Sequence, residues 1–521
     1  MQNILNFALY LLPNMGKKRA KMNLCKTSLA WLISTLLPTY SLAYITTQTS
    51  PPKHSTVLII KKYPFIINGK ATELFKIEQP NGAWGYHGVK GQYFDAIVKN
   101  ATDKPTVIHW HGLILPNPED GVPYVTQPPI LPGGEHHYRF KLSQSGTYWM
   151  HSHFDLQVQR FLSAPFIISD PNEKTKEKEV ILFLGDFSYK KPIAILYGLK
   201  NSGMIKVKEI NSSKTMSPAK DTKPDLNDVT YDAFLTNYHT LSKPQIVPVK
   251  GGETIRLRII DGAAMTNFFI DTKNLQGKAI AIDGQPIKII SGTKFQLAVG
   301  QRIDIRIKIP EGEGTYPIIA QGAGTQLQTG LILTTKGGKN IALSEKAPNV
   351  AGGLDYQQEL KIEALSPLPI KKPEQTLNVS LEGNMIKYVW TINNQAWPNM
   401  KPLSVDKNKR VELIFINKTE MAHPMHLHGH IFEVTEIDGK TLKNGAMRDT
   451  VLVLPHSTVK IQFDTDNPGN WMLHCHMLYH EATGMMTFIN YNGVNIPDVK
   501  KKIDAFNEKY GPEVEIRKPG Q

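Results

Sequence analysis

The chain has 521 residues, more than one hydrophobic core usually serves, so two to four domains are expected. Its formal net charge of +14 comes from 60 basic and 46 acidic residues spread along the chain, and this argues against nucleic-acid binding. Only two cysteines are present, which excludes a fold held by several disulfides, while 39 glycines and 35 prolines favour turns and short strands over long helices.

The N-terminal segment has the pattern of a secretory signal. A basic patch precedes the apolar run from Leu29 to Pro38, and Ser41 to Ala43 offers small residues for cleavage. We therefore predict that residues 1–43 are a signal peptide, with translation starting at Met15 or Met22. The mature chain is then periplasmic or secreted, although an N-terminal anchor is the alternative. The absence of an Arg-Arg pair favours the general secretory route.

Cleavage would change both the charge and the cysteine content. It removes five positive charges and no acidic residue, so the net charge falls from +14 to +9. Cys25 is lost, and Cys475 remains as the single cysteine. A lone thiol between two histidines in an oxidising compartment is better explained as a metal ligand than as a structural thiol. No later run is long and apolar enough to span a bilayer, so no stable membrane span is expected.

The mature chain alternates with a period of two, which is typical of strands that bury one face. Apolar and charged residues alternate over 303–309, and the same period appears over 255–259, where Arg258 is predicted on the face opposite the core. This pattern predicts an all-β chain of three consecutive Greek-key β-sandwich domains. The predicted domains are 44–171, 172–352 and 353–521.

An internal repeat supports this division. Phe140 precedes His151 by eleven residues, and the same spacing leads to His474 near the C-terminus. A middle copy keeps the turn sequence Gly-Thr-Tyr, but Ile319 and Gln321 stand where the histidines would be. The middle domain is therefore expected to space the outer two without supplying metal ligands.

Four pairs of histidines, each with one residue between them, lie in the outer domains: His109 and His111, His151 and His153, His426 and His428, His474 and His476. In a strand, both rings of such a pair point to the same face. One pair alone would also suit zinc. Four pairs favour a multinuclear cluster, which forms only if the first and third domains dock against each other.

The stretch from His474 to Met485 holds a thiol between two imidazoles, then a third imidazole at His480, then a thioether. Thiolate, imidazole and thioether donors suit copper, and a His₂Cys set with a long axial Met is the blue-copper arrangement. The second imidazole of that set must come from elsewhere, and the stretch from His423 to His428 supplies three. Because Cys475 points away from its neighbours, one peptide can join two metal sites through covalent bonds alone.

The motifs His-Trp-His-Gly, His-Ser-His, His-Pro-x-His-x-His-Gly and His-Cys-His-x-x-x-His-x-x-x-x-Met occur in this order. The chain thereby resembles the multicopper oxidases, most closely three-domain bacterial laccases and copper-efflux oxidases, over about Lys61 to Tyr491. The resemblance implies three cupredoxin-like domains and four copper ions per monomer: one type 1, one type 2 and two type 3.

The resemblance also implies a role for each motif residue. Type 1 copper is assigned His423, Cys475, His480 and the axial Met485; type 2 copper is assigned His109 and His426; the type 3 pair is assigned His111, His151, His153, His428, His474 and His476. Asp120 and Glu481 match acidic groups near the cluster and are assigned to proton delivery, with ordinary loop carboxylates as the alternative.

The chain departs from the family in several places. Phe161 and Ala164 stand where the family usually has glycines, which puts the packing near the cluster in doubt. Met421 resembles a substrate-side methionine, with a surface or core methionine as the alternative. No Met-rich insertion is present, which weakens a dedicated cuprous-oxidase role. Met485 as the axial ligand, in place of Leu or Phe, should lower the type 1 potential.

These observations predict a laccase-like copper oxidoreductase that couples one-electron oxidations to the four-electron reduction of dioxygen to water. The expected reductants are phenols and aromatic amines, with Cu(I) or Fe(II) close behind, and the protein is expected to be a monomer. A copper-resistance protein that sequesters copper without turnover is the alternative. The complete ligand set argues against a relative that has lost its metals.

Overall fold

The computed structural model describes residues 55–174, 177–201 and 226–511, and the predicted signal peptide lies outside these ranges. The described chain is built from 31 strands in six sheets, which confirms the all-β prediction. Its α-helices are α1, which covers residues 192–201, α2 (Leu478–Ala482) and α3 (Val499–Tyr510). Short 3₁₀ turns cover Asn117–Glu119, Gln157–Arg160 and Glu359–Lys361.

The first unit consists of two four-stranded sheets. One has the order β2-β1-β4-β6 and the other β3-β8-β7-β5. Their strands are β1 (Thr56–Ile67), β2 (Lys70–Glu78), β3 (Tyr86–Val89), β4 (Tyr93–Asn100), β5 (Ile108–His111), β6 (Glu135–Lys141), β7 (Gly146–Ser152) and β8 (Ser163–Ser169).

The second unit pairs a six-stranded sheet, β10-β9-β12-β17-β14-β15, with a five-stranded sheet, β11-β19-β18-β13-β16. Their strands are β9 (Lys178–Phe187), β10 (Ala233–Thr236), β11 (Gln245–Pro248), β12 (Thr254–Asp261), β13 (Phe268–Asp271), β14 (Gly277–Ile282), β15 (Gln285–Gly292), β16 (Lys294–Leu297), β17 (Arg302–Lys308), β18 (Thr315–Gly322) and β19 (Gln328–Thr334).

The third unit pairs the sheet β21-β20-β23-β29-β25-β26, in which β27 also joins β25, with the five-stranded sheet β22-β31-β30-β24-β28. Their strands are β20 (Gln375–Asn384), β21 (Val389–Ile392), β22 (Leu403–Val405), β23 (Arg410–Asn417), β24 (His423–Leu427), β25 (Phe432–Ile437), β26 (Lys440–Thr441), β27 (Met447–Arg448), β28 (Thr450–Val453), β29 (Thr458–Asp464), β30 (Asn470–Cys475) and β31 (Met486–Tyr491).

The three units share one topology. In the first sheet of each, a parallel pair recurs: β1 with β4, β9 with β12, β20 with β23. In the second sheet, the parallel pairs are β3 with β8, β11 with β19, and β22 with β31. Strands β7, β18 and β30 occupy the same position, so Ile319 and Gln321 of β18 stand where the outer units carry histidines. The predicted repeat is therefore present in the fold, while the residues at which one domain ends and the next begins remain predictions.

The apolar faces agree with the predicted alternation, but charged residues on the opposite face are buried as well. Ile303, Ile305 and Ile307 are buried in β17. Arg258 of β12 and Asp304 of β17 lie on the opposite face, as the alternation predicted, yet both are buried. That face is covered by the first unit. Arg258 donates to the Thr147 hydroxyl of the first unit at 2.8 Å and pairs with Asp304 of its own unit at 3.1 Å. A buried guanidinium needs such partners, so the two units meet through polar contacts.

None of the helices within the described ranges combines the length and the apolar character needed to cross a bilayer.

Candidate metal centre

Two strand pairs carry the four histidine pairs. In the first unit, β5 lies beside β7, and His109 is directly opposite His151. In the third unit, β24 lies beside β30, and His426 is directly opposite His474. Directly opposite residues of antiparallel strands share one face, so each unit presents its imidazoles as a group.

The first and third units dock so that these groups meet. The rings of His109 and His428 stack with centroids 3.7 Å apart, and those of His111 and His426 stack at the same distance. The remaining rings, His151, His153, His474 and His476, lie beside them with neighbouring centroids about 5 to 6 Å apart. All eight side chains are buried, and the predicted docking of the outer domains brings them together as expected.

The imidazole nitrogens in this cluster are arranged as a metal would require. The buried Nε2 atoms of His109, His151, His153 and His426 have no hydrogen-bond partner among the described residues. Two further pairs of nitrogens face each other. His428 Nε2 lies 3.1 Å from His474 Nε2, and His476 Nε2 lies 3.1 Å from His111 Nδ1. Buried polar atoms are normally satisfied, so inward-facing lone pairs in this number fit shared metal ions.

The outward nitrogens are held by oxygen atoms. Nδ1 of His109 bonds to the Asp120 carbonyl at 2.9 Å, and Nδ1 of His426 bonds to the Asp449 carbonyl at 2.8 Å. Nδ1 of His474 bonds to the Cys475 carbonyl at 3.0 Å. Such bonds orient each ring and fix which nitrogen carries the proton.

The two predicted acidic residues both touch the cluster. Asp120 Oδ2 lies 3.0 Å from His428 Nδ1. Glu481 lies between units, with Oε1 3.6 Å from His153 Nδ1 and Oε2 3.4 Å from His474 Nδ1. Burial alone would raise the pKa of Glu481, but His474 and His153 outweigh it and lower the pKa to about 2. Glu481 is therefore an ionised carboxylate that contacts cluster histidines of both the first and the third unit.

A second, smaller group contains the cysteine. Cys475 Sγ lies 3.6 Å from His423 Nδ1 and 3.7 Å from His480 Nδ1, and these two nitrogens are 3.2 Å apart. These separations suit three ligands of one ion. The one-turn helix α2 returns the chain so that His480 reaches Cys475, and Met485 follows, buried, with its N–H donating to the His480 carbonyl at 3.0 Å.

The environment of this group holds its rings in place. Nε2 of His423 bonds to the Thr419 hydroxyl at 2.8 Å. The Trp390 ring packs against His480 with centroids 4.0 Å apart. Burial raises the pKa of the Cys475 thiol, so a metal ion bound there would have to displace its proton.

Two acidic residues in contact with the histidines were not predicted. Asp449 Oδ1 lies 3.1 Å from His111 Nε2. Asp228, from the second unit, accepts hydrogen bonds from His480 Nε2 at 2.9 Å and from the Tyr388 hydroxyl. Neither aspartate has a sequence spacing that connects it with a histidine motif. Only the docking of units brings them to the site.

One departure from the family pattern, Phe161, has a local explanation. Phe161 adopts φ +66°, a conformation that glycine adopts without strain. Its ring packs against Gly185, where a Cβ would lie 2.4 Å from the ring. Met421 is buried in the core, in agreement with the structural alternative for this residue.

We expect the metal-free protein to lose stability as the pH falls from about 6.5 to about 4. Burial lowers the pKa of His153 to about 4 and also lowers the pKa of His111, His151 and His426. Unfolded histidines titrate near 6.5, so in this window the unfolded chain binds more protons and is favoured. Denaturant unfolding at several pH values measures the effect. The exposed-histidine control His87→Gln should keep the same dependence, and stability that is unchanged or greater at low pH would contradict the prediction.

The amino-acid sequence is similar to family models and to individual proteins of known type. Family models described as multicopper oxidase match residues 87–173, 200–342 and 370–492. Multicopper oxidase MmcO of Mycobacterium tuberculosis is 31% identical over 406 residues, covering 76% of this chain and 79% of the relative. A copper resistance protein A homolog of Pseudomonas syringae pv. tomato is 26% identical over 499 residues, covering 74% and 84%.

A solved structure supports the fold. Fet3p, described as a multicopper oxidase that functions in iron import, matches with a TM-score of 0.70 at 19% identity, covering 87% of this chain and 94% of Fet3p. This likeness confirms three cupredoxin-like domains. Given the histidine and cysteine groups and the relative at 31% identity, the chain belongs to the multicopper oxidase family, copper oxidoreductases that use dioxygen as acceptor.

Proposed function

We propose that electrons from a small reductant enter at the Cys475 group and pass along one peptide to the histidine cluster, where dioxygen is reduced to water. The observation that carries the proposal is the position of Cys475. Its Sγ faces His423 and His480, while its sequence neighbours His474 and His476 face the cluster. Only covalent bonds separate the two groups, so the chain supplies a direct electron path.

The proposed ligands follow the family pattern. Type 1 copper would be held by His423, Cys475, His480 and Met485; type 2 copper by His109 and His426; the type 3 pair by His111, His151, His153, His428, His474 and His476. Four bound copper ions would supply one-electron redox chemistry and the four electrons that dioxygen requires. The protein contributes the burial of the cluster, the ring orientations and the exclusion of water.

Protons must also reach the cluster, and we assign them to Asp120 and Glu481. Each carboxylate lies against imidazoles of the cluster, within reach of a proton that is passed through hydrogen bonds. Glu481 is slightly exposed, with 17% of its side chain accessible, so it can exchange protons with solvent. Asp120 is buried and would relay them further inside.

We further propose that the mature protein begins after residue 43, is periplasmic or secreted, and acts as a monomer with domains 44–171, 172–352 and 353–521. The basic patch and apolar run of the N-terminal segment support export.

The copper-loaded mature protein should show an intense blue band, a near-ultraviolet shoulder and oxygen uptake with a phenol. Cys475→Ser should remove the blue band and reduce oxygen uptake to background, because the serine hydroxyl does not replace a thiolate ligand. Visible absorption and an oxygen electrode measure both. The control is His456→Gln, an exposed histidine outside the ligand motifs, which should leave both unchanged. Bound copper without a blue band or turnover in the unmodified protein would favour sequestration.

Glu481→Gln should slow oxygen reduction while leaving the blue band intact. The amide keeps the shape but does not carry a proton, and general acid–base groups typically contribute about 10²–10⁴-fold. We expect kcat to fall by at least about tenfold, measured by oxygen uptake. Glu119→Gln is the control, because this carboxyl precedes Asp120 in the sequence and lies on a half-buried turn. A kcat for Glu481→Gln within twofold of the unmodified value would exclude the assigned role.

The contact between Asp228 and His480 favours a cationic reductant. Asp228 places a carboxylate against the imidazole nitrogen that points away from Cys475, and its neighbours Leu226 and Asn227 are partly exposed. The Asp228 side chain itself is buried, but its negative charge beside the proposed electron entry would attract Fe(II), Cu(I) or a protonated aromatic amine more than a neutral phenol. Copper resistance and iron import appear in the names of relatives, in agreement with metal ions as reductants.

Asp228→Asn should therefore raise KM for Fe(II) by about tenfold or more while changing KM for a neutral phenol far less. Steady-state kinetics with both reductants gives the ratio of the two KM values. An effect of the substitution on the copper potential would change both KM values and therefore cancels in this ratio. Asp232→Asn, an exposed aspartate four residues away, is the control. Equal changes for both reductants would contradict the preference for cations.

A further inference from the structure

The second unit contributes no histidine to the cluster, yet its Arg302 reaches it. Arg302 begins β17 and is buried. Its guanidinium donates to Asp449 through two nitrogens, at 2.8 and 2.5 Å, and to the Thr147 carbonyl at 3.1 Å. It also donates to the Gly300 carbonyl at 3.1 Å. One side chain thus connects all three units beside the cluster.

The carboxylate that Arg302 holds is the one that touches His111. Asp449 Oδ1 lies 3.1 Å from His111 Nε2, and the Thr450 hydroxyl donates to the same oxygen at 2.9 Å. A carboxylate accepts and does not donate, so His111 carries its proton on Nε2. The lone pair is then on Nδ1, which faces His476 Nε2 at 3.1 Å.

His111 is turned differently from most of the cluster. Five other rings have Nδ1 bonded to a carbonyl or carboxylate oxygen and Nε2 facing inward: His109, His151, His426, His428 and His474. In His111, Nε2 is held and Nδ1 faces inward. The Asp449 carboxylate is therefore the group that distinguishes this ring.

The chain next to Arg302 also fits closely against the rings. Gly300 has φ +87°, and a Cβ at this position would lie 3.0 Å from the His476 ring and 3.3 Å from the His111 ring. The Gln301 side chain donates to the Thr450 carbonyl at 3.0 Å. The loop 300–302 thus packs on both imidazoles and on the strand that follows Asp449.

We propose that Arg302 is a positioning residue for the cluster. It clamps Asp449 so that the carboxylate holds His111 in the tautomer whose Nδ1 lone pair faces the interior of the cluster, where copper would be held. A planar guanidinium suits this role because it binds both carboxylate oxygens in a fixed orientation. Without it, Asp449 would be a buried charge free to turn. The inference rests on the proposed copper cluster and extends it to the second unit.

The test is Asp449→Asn in the copper-loaded protein. An amide has one acceptor oxygen where the carboxylate has two, so it cannot accept from both Arg302 nitrogens, and its NH₂ group would face a guanidinium donor. The two-point contact is lost, and the side chain no longer holds the His111 proton on Nε2. We expect cluster copper to be held about 10–100-fold more weakly, the usual effect of losing a group that orients a ligand. The near-ultraviolet shoulder should weaken and copper content should fall, while the blue band stays.

Asp304→Asn is the matched control. Asp304 is equally buried, accepts from the Thr147 hydroxyl at 2.6 Å and pairs with Arg256 and Arg258, but it does not contact a cluster histidine. It should retain copper content and both absorption features. Arg302→Lys keeps the charge but loses the two-point contact, so it should weaken the near-ultraviolet shoulder less than Asp449→Asn does. If Asp449→Asn does not fold, Arg302→Lys serves as the test in its place.

The outcomes separate the clamp from the proposed function. An unmodified protein without blue band and oxygen uptake would contradict the proposed function. If the unmodified protein has both, an Asp449→Asn protein with full copper content and an unchanged near-ultraviolet shoulder overturns the clamp. Equal losses in Asp304→Asn would overturn it too, because the effect would then reflect any broken ion pair between units.

Discussion

The docking of the first unit on the third is the contact on which the site depends, because it buries eight imidazoles in one place. Neither unit alone offers more than four rings, two from each of its strands. Buried imidazoles cost free energy unless their nitrogens are bonded, and here the outward nitrogens meet oxygen atoms while several inward nitrogens face only one another. Copper held by these nitrogens would give them partners, so copper binding and folding should be coupled.

The second constraint is the alternation of a strand at Cys475. His474 and His476 belong to the cluster, and the sulfur of Cys475 belongs to the smaller group. Three consecutive residues therefore fix the position of one group relative to the other. The single turn of α2 completes the smaller group by returning His480 to the sulfur. This short segment thereby determines the relative position of the two proposed redox sites. The distance over which electrons pass between them is then fixed by the covalent structure of the chain.

The middle unit has a larger role than a spacer. It supplies Asp228 against His480, and Arg302 against Asp449 beside His111. It also pairs Arg258 with a hydroxyl of the first unit. Charged groups of this unit thus lie beside both candidate copper sites, although it carries Ile319 and Gln321 where the outer units carry histidines.

The sequence by itself determined the strand pattern, the threefold repeat and the copper-binding motifs, because side-chain direction in a strand follows residue spacing. His474, Cys475 and His476 could be assigned to opposite faces without a structure, and the family assignment followed from motif order. Tertiary structure alone decided which groups surround these rings. Asp449 meets His111 across 338 residues, and Asp228 meets His480 across 252. Such contacts depend on how three units dock, and an isolated Asp or Arg in a strand carries no spacing that reveals its distant partner. Arg258 lies on the strand face that the alternation predicted, but spacing did not reveal that another unit, rather than water, covers this face.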